Sequence, residues 1–164
     1  MPKVAIVMGS VSDLDVVKPT IEILKKFDVE AEVRVISAHR TPDMAHDFAK
    51  NAVDNNIEVI ICAAGKAAHL GGVIAAYTPI PVIGLPVKSS TMDGLDSLLS
   101  MVQMPSGIPV ACVAINGGLN AGLLAVQILS VKYPNLMKKM QDYKISMAEK
   151  IKNEDEKLQK ELNV

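Results

Sequence analysis

The chain has 164 residues, a formal net charge of −1 at neutral pH and no tryptophan. This length suits one domain with its own hydrophobic core, and the lack of a basic stripe and of aromatic stacking platforms argues against nucleic acid as a partner. Glycine, proline or histidine breaks the apolar runs before the roughly 18 residues that a membrane span needs. We therefore expect a single domain over residues 1–164, with neither nucleic acid nor a membrane as a partner.

Cellular location and redox state are predicted from the N-terminus and the cysteines. No signal peptide precedes Val4, where the first apolar run begins, so we expect a cytoplasmic protein. Cys62 and Cys112 each lie within an apolar run, which indicates buried, reduced thiols and not a disulfide.

Short apolar runs alternate along the chain with segments of helical periodicity. Continuous apolar runs are typical of strands that are buried on both faces of a parallel sheet. The predicted strands cover residues 4–8, 31–36, 57–64, 81–85 and 110–115. The predicted helices cover residues 14–27, 42–53, 73–77, 94–102 and 119–131.

This alternation predicts an α/β fold, a three-layer doubly wound arrangement with helices on both faces of a five-stranded parallel sheet. Because crossovers between parallel strands are right-handed, the flavodoxin-like strand order 2-1-3-4-5 is favoured. Glu32 and Arg34 alternate with valines in the second strand, which indicates a strand near the sheet edge. Pro19 predicts a kink or a short first turn in the first helix, and Pro86 is expected to end the fourth strand.

A long C-terminal helix is predicted over residues 134–164. A compact sheet has no room for a helix of this length, so we expect its apolar stripe to pack on a neighbouring subunit. The alternative is a solvated, partly frayed tail, and we expect fraying beyond Ile151, where the sequence becomes mostly charged. The stripe consists of Leu136, Met140, Tyr143, Met147 and Ile151.

The hexapeptide Ser-Ala-His-Arg-Thr-Pro that begins at Ser37 is the main candidate for chemistry, since it lies where the second strand ends and a helix begins. Thr41 can cap this helix, and Pro42 suits its first turn. Arg40 offers a planar fork of donors suited to phosphate. His39 is the type of side chain that most easily exchanges protons near neutral pH.

Three strand-end loops carry the polar side chains of interest: residues 9–13, 37–41 and 65–70. In the predicted order, strand 1 lies between strands 2 and 3, so the three loops meet at the carboxyl edge of the sheet. Open α/β sheets bind their ligands at this edge, where the strand order reverses. The convergence is stronger evidence for a site than any one of the loops.

The first two loops predict a site for a phosphorylated ligand. The hydroxyls of Ser10 and Ser12, free backbone N–H groups of the helix behind them, and the guanidinium of Arg40 would form a phosphate cradle. Asp13 would be repelled by phosphate but could bind ribose hydroxyls. Ser12 or Asp13 alone would be interpreted as a helix cap, and it is the presence of Arg40 that favours the binding site.

Other classes of site lack their motifs. Only Gly9 of a dinucleotide-binding Gly-x-Gly-x-x-Gly fingerprint follows the first strand, and neither a Walker loop nor a Gly-x-Ser-x-Gly elbow is present. His39 and His69 have no cysteine or carboxylate partners at zinc-ligand spacing. His46 falls off the apolar stripe of its helix and is predicted to be a solvated surface residue.

Several segments in combination resemble a known family. They are residues 5–10 with Ser12-Asp13, residues 37–42, the Ala-Ala-His-Leu of residues 67–70, residues 94–98 and residues 103–110. Together they resemble the class I PurE family, the N5-carboxyaminoimidazole ribonucleotide mutases of purine synthesis.

Two positions separate this family from its class II relatives, which carboxylate aminoimidazole ribonucleotide with CO2. Class II members typically carry lysine after Ser-Ala-His, where this chain has Arg40. They also have an Arg-Ser-Asn type of loop, where this chain has Ala-Ala-His ending at His69. Lys66 and Gly71 depart from the usual class I residues next to this loop.

The resemblance implies an isomerisation that moves a carboxylate from N5 to C4 of an aminoimidazole ribonucleotide, by decarboxylation and recarboxylation. It implies substrate binding by Ser10, Asp13 and Arg40 and proton transfer by His39. His69 is a second catalytic candidate that lines or closes the pocket, and the alternative for it is a hydrogen-bonded loop histidine. The full predicted substrate-binding set is Gly9, Ser10, Ser12, Asp13, Ser37, Ala38, Arg40, Gly65, Lys66, Ala67, Ala68 and Leu70.

The resemblance also has implications for cofactors, metals and protein partners. It implies no cofactor and no metal, a homo-octamer, and a functional link to the enzyme that supplies N5-carboxyaminoimidazole ribonucleotide. Two alternatives stay open: a class II carboxylase that uses CO2 directly, and a non-catalytic nucleotide-binding module. A receiver-like module would need acidic residues where the first strand is followed by Gly9 and Ser10, and an aspartate where the third ends at Ala64 and Gly65.

Overall fold

The computed structural model describes residues 1–90 and 92–162. The strands are β1 (Lys3–Met8), β2 (Glu30–Val35), β3 (Val59–Gly65), β4 (Val82–Val87) and β5 (Ala111–Cys112). The helices are α1 (Leu14–Lys26), α2 (Pro42–Lys50), α3 (Leu70–Tyr77), α4 (Leu95–Val102), α5 (Gly118–Ser130) and α6 (Pro134–Leu162). Short 3-10 turns cover Val11–Asp13 and Met92–Gly94. Within the described ranges, no helix is both long and apolar enough to cross a membrane.

The five strands form one parallel sheet in the order β2-β1-β3-β4-β5, which confirms the predicted order. Val4 of β1 pairs with Ala31 on one side and with Val59 on the other. β1, β3 and β4 are buried almost throughout, as their continuous apolar sequences predict. β2 lies at the edge and leaves Val33 and Val35 exposed.

Helices cover both faces of the sheet, because alternate residues of each central strand point to opposite sides. On one face Ile6 and Ile61 belong to a core with residues of α1, α5 and α6. On the other face Val7 and Ile60 belong to a core with residues of α2, α3 and α4. The result is the three-layer, doubly wound α/β fold that the sequence predicts.

Glycines let α1 and α5 approach closely. A Cβ atom on Gly118 would lie 2.1 Å from the carbonyl oxygen of Val16, and one on Gly122 would lie 2.3 Å from a methyl group of Ile23. The hydroxyl of Thr20 donates a buried hydrogen bond of 2.7 Å to the carbonyl of Gly118. This contact holds α1, and therefore the loop that precedes it, firmly against the rest of the fold.

Prolines disturb the elements less than predicted. α1 continues through Pro19, and a 3-10 turn precedes the helix. Proline has no N–H group to donate to the backbone carbonyl one turn earlier. Because Pro19 is exposed, water can solvate that carbonyl instead. The prediction that Pro86 ends the fourth strand is wrong, since β4 runs to Val87. Pro86 lacks only an N–H group, and its carbonyl accepts a 2.8 Å hydrogen bond from the backbone of Asn116.

Several other boundaries also differ from the predictions, β5 and α3 among them. β5 is only Ala111–Cys112, shorter than predicted, because this edge strand pairs with β4 at just two positions, opposite Ile83 and Gly84. α3 begins at Leu70, three residues earlier than predicted, and includes Gly71 and Gly72 in its first turn.

The start of α6 packs on its own subunit. Leu136 and Met140 are buried in the core beside α1 and α5, and the ring of Tyr143 contacts that of Phe27 edge-on at 5.8 Å. The prediction that the whole stripe packs on a neighbour is therefore wrong for this part. Only its later residues, Met147 and Ile151, are exposed, at 45% and 64%.

The fraying predicted beyond Ile151 is not observed as far as Leu162, where α6 ends; residues 163 and 164 of the predicted helix lie outside the described residues. Pairs one helical turn apart support this charged segment. Lys150 lies 3.8 Å from Glu154, and the amide of Gln159 donates to Asp155 at 3.5 Å.

Candidate active site

An open pocket of about 650 Å³ lies at the carboxyl edge of the sheet. The loops that follow β1, β2, β3 and β4 form its walls. It is lined by most of the predicted substrate-binding residues and by His39: Gly9, Ser10, Ser12, Asp13, Ser37, Ala38, His39, Arg40, Gly65, Lys66, Ala67 and Leu70. Its remaining lining residues are Ala64, Val87, Lys88, Ser89 and Ser90.

Two predicted site residues lie outside the lining of the pocket. Ala68 is buried, 1% exposed, in the core beneath its loop. His69 is exposed; its ring contacts that of His39, and its backbone N–H donates to the carbonyl of Ala67 at 2.8 Å.

The wall that follows β4 was missed at the sequence level. Lys88, Ser89 and Ser90 form a polar segment directly after a buried strand, which is the same signal that identified the other loops. The predicted strand order already placed this segment beside the loop after strand 3.

The first loop orients its hydroxyls through short local contacts. The Ser10 hydroxyl accepts hydrogen bonds from the backbone N–H of Ser12 at 3.3 Å and from its hydroxyl at 2.9 Å. Ser10 therefore caps the 3-10 turn that leads into α1. Asp13 precedes α1 but makes no side-chain capping bond, so the cap interpretation is wrong for this residue. The residue instead lines the pocket.

Asp13 is a buried carboxyl, 8% exposed. Burial raises its pKa, because the charged form loses hydration, while the backbone of Ser10 and the hydroxyl of Ser12 partly oppose this shift by donating to it. The fold therefore keeps an acidic acceptor in the pocket at some cost in stability. Such a cost is common where a group is placed for binding.

Asp13→Asn is expected to raise the midpoint temperature of unfolding at neutral pH. The pKa of Asp13 is higher in the folded protein than in the unfolded chain, so the folded state binds the proton more tightly. The wild type therefore loses stability as the pH rises from the pKa of the unfolded chain to that of the folded protein. Asparagine has no such loss. The gain should vanish as the pH falls below about 4, where the unfolded carboxyl is also protonated. Thermal unfolding across pH measures this.

Asp15→Asn is the matched control, two residues away on the exposed surface of α1. A hydrogen bond from Lys18 lowers the pKa of Asp15, so its neutralisation should give no gain at neutral pH. Equal gains in the two variants, or no gain at Asp13, would contradict the argument.

The second loop is a closed turn. The Thr41 hydroxyl accepts from the backbone N–H of Ser37 and donates to its carbonyl, both at 3.0 Å. Thr41 therefore makes no capping bond to α2, contrary to the prediction, whereas Pro42 occupies the first turn as predicted. The turn fixes the backbone that carries His39 and Arg40.

Arg40 joins the loops that follow β1 and β2. Its Nη2 donates to the carbonyl of Gly9 at 3.2 Å, and its Nε donates to the hydroxyl of Ser37 at 3.4 Å. Among the described residues, no carboxylate pairs with this guanidinium. Its positive charge can therefore be neutralised by an anion in the pocket.

The ring of His39, which lines the pocket, contacts the ring of His69. Nε2 of His39 lies 3.0 Å from Nδ1 of His69, and the rings lie edge to face at 80° with centroids 5.1 Å apart. One of these nitrogens must carry a hydrogen and the other a lone pair. The pair can therefore pass a proton from one imidazole to the other.

Lys66 brings a second cation to the pocket. It adopts a left-handed backbone conformation, with φ of 56°, at the turn that follows β3. No described acidic side chain pairs with its ammonium group.

Other reactive side chains lie away from the pocket. His46, partly exposed, bonds Asp47 at 2.9 Å and packs its ring on Tyr77, so it is less solvated than predicted. Both cysteines are free thiols; burial raises the pKa of Cys62 to about 12 and also raises that of the half-buried Cys112. Across residues 1–90 and 92–162, no cluster of three or more histidine, cysteine or acidic side chains could hold a metal.

A family model described as AIR carboxylase matches residues 3–150. The chain belongs to the AIR carboxylase family. This confirms the PurE resemblance found in the sequence motifs.

Members of the AIR carboxylase family with known names match over nearly the whole chain. A protein of Thermotoga maritima named N5-carboxyaminoimidazole ribonucleotide mutase is 53% identical over 97% of this chain and 93% of its own. A protein of the same name from Pyrococcus abyssi is 58% identical over 90% of this chain and 84% of its own. The crystal structure of PurE from Treponema denticola aligns with a TM-score of 0.88 at 32% identity, over 96% of this chain and 99% of that one.

Proposed function

We propose that this chain is an N5-carboxyaminoimidazole ribonucleotide mutase of de novo purine biosynthesis. It would convert its substrate to 4-carboxyaminoimidazole ribonucleotide. The observation that carries the proposal is that Arg40, whose guanidinium suits a phosphate, and His39 line the same pocket, and that His39 contacts His69 at 3.0 Å. Relatives at 53% and 58% identity carry the name of this mutase.

The nucleotide binds with its phosphate near the loops that follow β1 and β2. Arg40 supplies two parallel donors, and the hydroxyls of Ser10 and Ser12 lie in the same wall. The carboxylate of Asp13 accepts hydrogen bonds from ribose hydroxyls, which are uncharged and do not repel it as a phosphate would. The base then lies over the end of β3, next to Ala67.

The reaction begins when the N5–carboxylate bond breaks. CO2 leaves as a neutral molecule and N5 takes a proton. Departure of CO2 is favoured when the carboxylate is taken out of water, and Ala64, Ala67 and Leu70 provide apolar surface in the pocket. The same surface keeps CO2 near the base.

CO2 next forms a bond to C4 of the imidazole. The C4 proton must then leave to restore the aromatic ring. His39 accepts this proton, after having supplied the proton for N5, so that protons balance over the cycle. His69 supports the exchange through its 3.0 Å contact with His39. No cofactor is required by these steps.

A turnover assay with N5-carboxyaminoimidazole ribonucleotide as the substrate tests the proposal. We expect formation of the 4-carboxylated nucleotide without added bicarbonate. Turnover only with aminoimidazole ribonucleotide and CO2 would identify the class II carboxylase. Nucleotide binding without turnover of either substrate would identify the non-catalytic module.

The proposal extends to the cellular context. A purine-synthesis enzyme of this kind acts in the cytoplasm. Because an N-carboxylate loses CO2 readily, a functional link to the enzyme that supplies this substrate would limit its loss. Sedimentation of the two enzymes together tests the link: co-sedimentation supports it, and independent sedimentation contradicts it.

The proposal also includes a homo-octamer. α6 extends beyond the sheet and exposes an apolar row, which a second copy of the chain would cover. The row consists of Met147, Ile151, Leu158 and Leu162.

Glutamates at Met147 and Ile151 are expected to lower the mass of the assembly in sedimentation, because charges at a buried apolar interface stay without partners. Met140 is unsuited to this test, since it is buried in the core of its own subunit. Lys152→Glu is the control, on the same exposed turn but outside the row. A wild-type monomer, or equal dissociation of the control, would contradict the octamer.

A further inference from the structure

The loop after β4 brings a cation into the pocket that no sequence motif explains. Lys88 lines the pocket together with Ser89 and Ser90. The peptide group between Val87 and Lys88 is held by two hydrogen bonds. The N–H of Lys88 donates to the side-chain carbonyl of Asn116 at 2.8 Å, and the carbonyl of Val87 accepts from the buried Ser97 hydroxyl at 3.0 Å. The base of the side chain is therefore fixed at the wall of the pocket.

The position of Lys88 along the sheet edge separates it from the phosphate-binding end. β1 and β4 are two strand spacings apart, with β3 between them, which amounts to about 10 Å. Arg40 bonds the loop after β1, whereas Lys88 follows β4. Arg40 and Lys88 thus place positive charge at two separated points of the pocket, with Lys66 on the loop after β3 between them. A ligand with two separated anionic groups matches this arrangement.

The ammonium group of Lys88 is held only weakly in the described structure. It lies 3.1 Å from a carboxylate oxygen of Asp93, and the two side chains are 57% and 86% exposed. Exposed pairs of this kind stabilise a protein little, so Lys88 can exchange Asp93 for a ligand at small cost. Asp93 lies in the strained part of the loop, where Met92, Asp93 and Gly94 all have positive φ angles.

We propose that Lys88 binds the carboxylate of the carboxylated nucleotide, while Arg40 binds its phosphate. This inference rests on the proposed function and adds a specificity residue to it. The substrate and the product both carry this carboxylate, whereas CO2 between them is neutral. Lys88 therefore strengthens the binding of both carboxylated nucleotides and does not favour the transition state for loss of CO2. Its removal should therefore raise KM and kcat together and leave kcat/KM nearly unchanged.

Lys88→Gln tests the inference by calorimetric titration with two nucleotides. Affinity for 4-carboxyaminoimidazole ribonucleotide should fall about tenfold, the lower end for a charged hydrogen bond. Affinity for aminoimidazole ribonucleotide, which lacks the carboxylate, should stay unchanged. Asp93→Asn removes the competing partner, and it should strengthen binding of the carboxylated nucleotide or leave it unchanged.

Lys18→Gln is the matched control. Lys18 also pairs with an aspartate, and its side chain and that of Asp15 are 56% and 87% exposed, but it lies outside the pocket. Neither affinity should change in this variant.

Three outcomes would overturn the inference: unchanged affinity for the carboxylated nucleotide in Lys88→Gln, an equal loss for both nucleotides, or an equal loss in Lys18→Gln. The proposed function is tested separately by wild-type turnover. If the wild type binds both nucleotides without turnover, the mutase proposal fails, while the affinities still decide the role of Lys88.

Discussion

Replacement of His39 by asparagine is expected to lower the turnover of N5-carboxyaminoimidazole ribonucleotide at least about a hundredfold, the lower end for a lost general acid–base group. Asparagine keeps a polar side chain but cannot exchange protons. His39 is exposed and outside both hydrophobic cores, so the variant should fold normally. Nucleotide affinity should also persist, because Asp13 and Arg40 remain. Single-turnover kinetics and calorimetry separate the two effects.

The same substitution at the other histidines completes this test. His46→Asn should leave turnover near the wild-type value, since His46 bonds Asp47 and packs on Tyr77 away from the pocket. His69→Asn should have a smaller effect than His39→Asn if His69 acts through its contact with His39. A His39 variant with near wild-type turnover would instead make His69 the acid–base group, and the proposed mechanism would be wrong.

Arg40→Lys is expected to weaken nucleotide binding by about 1.5–3 kcal/mol, the scale of a hydrogen bond to a charged group. Both residues are cationic, so the expected loss comes from geometry: an ammonium group cannot reproduce the planar fork that grips two phosphate oxygens. It also cannot bridge Gly9 and Ser37 as the guanidinium does. Calorimetric titration with aminoimidazole ribonucleotide measures the loss, since this ligand carries the phosphate without the carboxylate.

The chain offers one matched control for this substitution. Arg34 is its other arginine, on the exposed edge strand β2, where it lies 3.4 Å from Glu32. Arg34→Lys should not change nucleotide affinity. If Arg40→Lys bound the nucleotide as tightly as Arg34→Lys does, Arg40 would have no part in phosphate binding.

The sequence by itself was enough to predict the sheet and the edge at which the pocket lies. Buried parallel strands have continuous apolar sequences, and right-handed crossovers leave few strand orders, so the loops at residues 9–13, 37–41 and 65–70 had to meet. These are local patterns and general rules of topology. They also placed β2 at the edge from the alternation of Glu32 and Arg34 with valines.

Only the tertiary structure decided which side chains touch. The bond between His39 and His69 joins residues 30 positions apart, and the link from Arg40 to Gly9 joins residues 31 positions apart. No local pattern encodes such distances, because they depend on how neighbouring strands are aligned. The same holds for α6: its apolar stripe shows that a partner is needed, but the space beside α1 and α5 determined that Leu136 and Met140 pack within their own subunit.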